Sequence, residues 1–165
     1  MKALCLKSAF PALGLVLALV CSPTMFAQQS GSLSEIDSVL DAFHEAAAAG
    51  DWERYFDLMS ADGVFLGTDA SERWPKSEFQ QYASRSSGWT YHPRERHIDL
   101  TPDGNSAWFD ELLDSESYGT SRGTGILVRT EQGWKIAQYH LTFPIPNELV
   151  RGFTDQIKAF EAAEQ

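Results

Sequence analysis

The chain has 165 residues, 43% of them hydrophobic, and a net charge of −10 at neutral pH from 23 acidic against 13 basic side chains. So acidic a surface repels phosphate backbones and anionic bilayers, which sets aside nucleic acid and membrane surfaces as partners. The two cysteines, Cys5 and Cys21, both fall near the N-terminus, so the chain beyond them can form no disulfide, thiolate metal site or cysteine nucleophile.

Met1-Lys2 and Lys7, the apolar run Ala9–Val20, then Ser22-Pro23 and Ala27 have the layout of a secretory signal peptide. The run is too short for a membrane span. Cleavage after Ala27 is expected, leaving residues 28–165 as one domain in the periplasm or the medium. Val20 stands directly before Cys21, where a lipoprotein signal normally has a small residue, which argues against a lipid anchor.

Ser32 and Glu35 have capping-box spacing, and Leu33, Ile36, Val39, Leu40 and Phe43 recur at helical intervals, predicting a helix over 33–49. Gly50 ends it, and Asp51 is a natural N-cap for a short second helix burying Trp52, Tyr55, Phe56 and Met59. Asp62-Gly63 breaks that helix before a short strand, Val64–Leu66. A turn-rich stretch to Trp74 follows, and Pro75 opens a third helix with Phe79, Tyr82 and Ala83 inward.

From Trp89 onward the period is alternating. Strands are expected over Trp89–Leu100 and Ser106–Leu113, then a long hairpin over Gly119–Asn147 turning at Glu131-Gln132-Gly133. A three-residue loop there sets Thr130 opposite Trp134, Val128 opposite Ile136, Ile126 opposite Gln138, Thr124 opposite His140 and Arg122 opposite Thr142. One face then carries Arg122, Thr124, Ile126, Gln138, His140 and Thr142, apolar near the turn and polar further along, as the wall of a half-dry pocket would be. The alternate set, Ala137, Tyr139, Leu141 and Phe143, is too apolar for water and is expected on an outer face that pairs two subunits. Helices followed by a four-stranded antiparallel meander indicate an α+β layer structure. Asn147 can cap a last helix with Leu149, Val150, Phe153, Ile157 and Phe160 on one side.

The helical pair joined by Ala49-Gly50-Asp51, the segments VFLGTD and ERW, AWFDE at 107–111, RGTG at 122–125 and GWKIAQYHLTFPIPN at 133–147 resemble the SnoaL-like branch of the nuclear transport factor 2-like superfamily. The resemblance implies a cone in which N-terminal helices and a bent four-stranded antiparallel sheet enclose a cavity, commonly in a homodimer. Isomerases, cyclases, dehydratases, binding proteins and oligomerisation modules share that cone, so the fold alone names no function.

On the resemblance His140 points into the cavity, where an imidazole can act as acid, base or donor. Arg122 on the same face needs a carboxylate, which Asp110 supplies, or Glu111 if the register slips by one. His140, Asp110 and Arg122 are thus the candidate catalytic set, with Gln138, Thr124, Trp108, Glu111, Tyr55 and Trp52 as candidate ligand contacts. Asp69, Glu72 and Arg73 lie near the expected cavity mouth, and Tyr55 and Tyr91 are hydroxyl donors. His44, His92, His97 and His140 have no metal-ligand spacing, and there is no phosphate loop or serine elbow, so no metal or cofactor is expected. The function expected is a cavity binding a small apolar molecule with a polar or anionic end held by Arg122, His140 and Gln138. One alternative is a cofactor-independent isomerase, cyclase or dehydratase with Asp110 or Glu111 as base; another is a dimeric interaction module.

Overall fold

A glycine and an aspartate set the first corner of the chain. In the computed structural model, which describes residues 23–164 and the side chains of residues 31–164, helix α1 runs Pro23–Ala49 and is followed by Gly50 at φ +67°. A Cβ at position 50 would lie 2.6 Å from the Ser87 carbonyl oxygen, so only glycine both turns the chain and fits there. The Asp51 side chain accepts from the Arg54 backbone N–H at 3.1 Å and starts α2, Trp52–Asp57, as its sequence position predicts. Ser32 does not cap α1; it lies inside the helix, buried, 3.5 Å from Arg129 Nη2. Most of the expected leader, residues 1–22 with both cysteines, lies outside the described residues.

The strands are β1 Met59–Leu66, β2 Arg73–Pro75, β3 His92–Leu100, β4 Ser106–Ser115, β5 Gly119–Thr130 and β6 Gly133–Thr142, with α3 Lys76–Ala83 after β2 and α4 Val150–Ala163 after β6. The sheet order is β2-β1-β6-β5-β4-β3. The expected meander is present as β3 to β6, and two further strands widen it from four to six. β1 joins β6 in parallel, with Phe65 beside Tyr139, and β2 pairs antiparallel with β1. A three-residue strand ending in Pro75 is too short to show a period in sequence.

Helices α1, α2 and α3 lie on one face of the sheet. Ile36, Leu40 and Phe43 of α1, Tyr55 and Phe56 of α2 and Phe79 of α3 are buried with Phe109, Leu127, Ile136 and Tyr139 from the sheet. Each such side chain contributes about 1.5–3 kcal/mol by leaving water.

The hairpin corrects the expected facing. Its loop is two residues, Glu131-Gln132, with Thr130 opposite Gly133 and Val128 opposite Lys135. A bulge in β6 then restores the expected pairs Ile126 with Gln138, Thr124 with His140 and Arg122 with Thr142. On β5, however, the inward set is Ser121, Gly123, Gly125 and Leu127, and on β6 the bulge shifts the inward set from Trp134 and Ile136 to Tyr139 and Leu141. The face carrying Arg122, Thr124 and His140 is therefore the outer one, and Tyr139 and Leu141 belong to the inner one. The two glycines leave no side chain of their own on the inner face because neighbours fill it. A Cβ on Gly123 would come within 2.8 Å of Glu111 Oε1, and one on Gly125 within 2.7 Å of Phe109 Cε1.

Candidate functional site, an aromatic mouth above a buried carboxylate

Strand β4 alternates Ala107, Phe109, Glu111 and Leu113 toward the helices, and this periodicity carries a carboxylate into the core. Glu111 is fully buried. Its Oε1 accepts from His44 Nε2 at 2.7 Å and from the Tyr139 hydroxyl at 2.9 Å, while Oε2 accepts from Arg96 Nε at 2.8 Å. Burial alone pushes the carboxyl up, but the His44 hydrogen bond, the His44 charge and Arg96 outweigh it and hold Glu111 below the ordinary carboxylate range. Burial, and then Glu111 beside it, push the Tyr139 hydroxyl well above the usual phenol range, so it stays a neutral donor.

Arg96 ties this centre to the first helix. Its Nη1 donates to Asp37 Oδ1 at 2.6 Å and Asp41 Oδ1 at 2.8 Å, one helical turn apart on α1. The ionised carboxylate can only accept, so His44 Nε2 donates to it, and Nδ1 is the ring nitrogen left free to exchange a proton. A carboxylate-oriented imidazole of this kind can act as a general base.

A cavity of about 260 Å³ opens among β1, β2, α3 and the end of β6. Phe65, Trp74, Phe79 and Tyr82 stack with their planes within 25° of one another, and Tyr118 and Phe143 form a second stacked pair with centroids 4.9 Å apart. Trp89, Tyr91 and Leu141 complete the apolar lining, and Thr68 and Glu72 are its polar members beside the tyrosine hydroxyls. Burial, and then Tyr118, raise the Tyr91 hydroxyl to about 12. Beside it lies an inner extension of about 20 Å³, room for about one water, which shares the walls Phe65, Trp89, Tyr91 and Leu141 with the mouth and is lined on its inner side by Tyr55, His44 and Tyr139. His44 lines this inner space, and Glu111 stands behind it.

The sequence-derived candidates divide between the two faces. Asp110, Arg122 and Trp108 are exposed, and Thr124, Gln138 and His140 are half-buried, all on the outer face and none lining the cavity. Asp110 pairs with Thr124, and Thr124 with His140, so the expected neighbourhood exists, but it is outside the cone and not in an enclosed hollow. The register alternative, Glu111, is the carboxylate that is inside. Tyr55 is buried, stacked on Phe43 at 4.0 Å, and lines the extension. Trp52 Nε1 donates to the Ser86 carbonyl at 3.0 Å and braces α2 instead of lining the mouth. Glu72 lines the mouth, as its loop position suggested.

Sequence reasoning missed His44, Arg96 and Tyr139. The signal for His44 was present, because it falls four residues after Leu40 and eight after Ile36, on the buried stripe of α1. Arg96 stands directly opposite Glu111 in the β3–β4 pairing, a register the sequence did not fix, and its other partners, Asp37 and Asp41, lie on an element distant in sequence.

Comparison with known proteins agrees with this architecture. A family model described as a SnoaL-like domain matches residues 36–146. No curated protein sequence matches the chain. Among solved structures, an NTF2-like protein with a cystatin-like fold from Novosphingobium aromaticivorans is 14% identical, with TM-score 0.62, covering 81% of this chain and 97% of that one. A candidate scytalone dehydratase from the same organism is 10% identical, with TM-score 0.63, over 73% of this chain and 89% of that one. A candidate dehydratase of the NTF2-like family from Streptomyces avermitilis is 18% identical, with TM-score 0.57, over 71% and 99%. At such identities the likeness is one of fold.

Proposed function

The chain belongs to the SnoaL-like family, and from that premise we propose that it is a cavity protein whose aromatic mouth binds a small, largely apolar molecule. The observation that carries this is the open 260 Å³ space between stacked rings. Its size lies just under the ~300–1,000 Å³ of drug-sized pockets, which suits a compact ligand. Fluorescence titration with a two-ring aromatic such as 1-naphthol tests it. Leu141→Trp, which fills the cavity at its narrowing, is expected to weaken binding about tenfold or more, whereas Arg122→Ala and His140→Ala leave it unchanged. The reverse pattern would move the ligand to the outer face.

The dyad of His44 and Glu111 at the end of the extension favours a second reading, a cofactor-independent proton-transfer enzyme with His44 as base. The fold neighbours named as candidate dehydratases lend it support. In the same titration series, His44→Gln would retain binding and abolish turnover of any compound the wild type converts.

We also propose that the protein is an exported homodimer. Trp108 and Ile126 on the outer sheet face are 50% and 42% exposed, and α4 buries none of its residues while Phe153, Ile157 and Phe160 stand open. One chain thus carries two apolar surfaces without a partner, and a second copy can cover both. Export rests on the leader layout of residues 1–27. Material from the periplasm is expected to sediment as a dimer of chains beginning at Gln28, and Phe153→Asp with Ile157→Asp to sediment as a monomer. A wild-type monomer at micromolar concentration would refute the dimer.

A further inference from the structure

The mouth has a charge as well as a shape. Among the described residues Glu72 is its one formally charged lining residue. Strand alternation sends Trp74 to the same side as Glu72 and leaves Arg73 exposed on the other, so the neighbouring guanidinium does not neutralise the site. Glu72 is fixed by one oxygen only. Oε2 accepts from the Asp69 backbone N–H at 3.2 Å and packs against buried Gly67, while Oε1 has no hydrogen bond among the described residues. Asp69 does not line the mouth, and its Oδ1 is turned to the Ser71 N–H at 2.8 Å and the Ser71 hydroxyl at 2.6 Å.

The rings beside Glu72 set the rest of the specificity. Trp74 stacks on Tyr82 at 4.8 Å and on Phe65 at 6.3 Å, with near-parallel planes, and Tyr82 is 51% exposed. A flat molecule can extend such a stack at its open end, and an electron-poor or cationic ring gains most from the negative faces it meets. The net charge of −10 adds a long-range field of the same sign. An anionic group entering here would lose its water beside a carboxylate, with no lining Lys or Arg to receive it.

We propose that the mouth selects planar aromatic cations, rings bearing a quaternary or protonated nitrogen, over anions of the same size, with Glu72 as the group that reads the charge. The selection rests on the cavity reading above and sharpens it. It also reverses the polarity expected from Arg122 and His140, which face away from the cavity.

The test uses three probes of one shape, N-methylquinolinium, 1-methylnaphthalene and 1-naphthoate, titrated by tryptophan fluorescence at low and moderate salt. N-methylquinolinium is expected to bind about tenfold or more tighter than 1-naphthoate. Glu72→Gln should collapse that ratio toward one while 1-methylnaphthalene binding stays the same, since the substitution keeps the shape and removes only the charge. Equal binding of all three probes, or an unchanged ratio in Glu72→Gln, would overturn the charge selection and leave the cavity reading intact. Failure of every probe to bind, with Leu141→Trp indistinguishable from wild type, would overturn both.

Discussion

Replacing Glu111 by Gln lowers the stability of the fold by about 3–5 kcal/mol, a large share of the ~5–15 kcal/mol that holds a domain together. Three donors converge on this carboxylate, and an amide offers them one acceptor oxygen and a donor where another acceptor is needed. Arg96, half-buried and with its Nη2 buried and already unpartnered among the described residues, is left with less compensation for its charge. The contrast within the same network is Asp37→Asn. Its side chain is 55% exposed, so its loss costs roughly 1 kcal/mol or less although its bond to Arg96 is the shorter one. The pH dependence follows from the lowered Glu111 carboxyl. The unfolded chain takes up the proton first as pH falls, so the stabilisation is complete above the ordinary value of 4.5 and is lost as pH drops through the folded value below it. Denaturant titrations should therefore show a gap between wild type and Glu111→Gln that is constant from about pH 7 to about pH 5 and closes below that. A gap of the same size at about pH 3 would show that the carboxylate's charge is not what stabilises the wild type.

Gly125→Ala is the second large effect, at about 1–3 kcal/mol or more of destabilisation from one methyl group. The new Cβ would meet the Gln138 carbonyl oxygen, which is backbone of the adjoining strand, and the Phe109 ring at 2.7 and 3.0 Å. A side chain can turn aside, but a paired strand can move only by giving up its register. Gly152→Ala is the internal comparison. It lies in α4 with nothing within 4 Å, and there alanine is expected to favour the helix by about 1 kcal/mol. Chemical denaturation of the two variants should give shifts of opposite sign. A neutral Gly125→Ala would mean that the sheet is looser at this point than its pairing indicates.

Much of the architecture was legible because it rests on local chemistry. Gly50 and Asp51 mark a corner that needs a left-handed residue followed by a cap, and the meander from His92 to Thr142 shows its alternation directly. The facing of the hairpin was not legible, for a reason visible on β5. Its inward positions include Ser121, Gly123 and Gly125, while Ile126 lies outward, so the hydrophobic contrast that normally marks the core side is inverted. The bulge in β6 compounds this, because Trp134 and Ile136 are buried on one parity and Tyr139 on the other. Strand β4 held the better clue. Glu111 shares the parity of Ala107, Phe109 and Leu113, which already favoured it over Asp110 as the inward carboxylate. Convergence of Arg96 and His44 on Glu111 requires α1 to lie against β3 and β4, and no local pattern records that.

The two borders of the sheet have a further consequence. β2 is three residues long and ends in Pro75, which has no N–H to offer a newcomer. At the other border β3 reads HPRERHIDL, with Pro93 near its start and charged side chains along most of its length. Neither margin can template another chain's strand, since one is too short to guide it and the other would force it to pair against a row of like and unlike charges. A concentrated solution of this acidic protein should accordingly resist edge-to-edge growth into fibrils, so that any self-association is confined to surfaces that close on themselves.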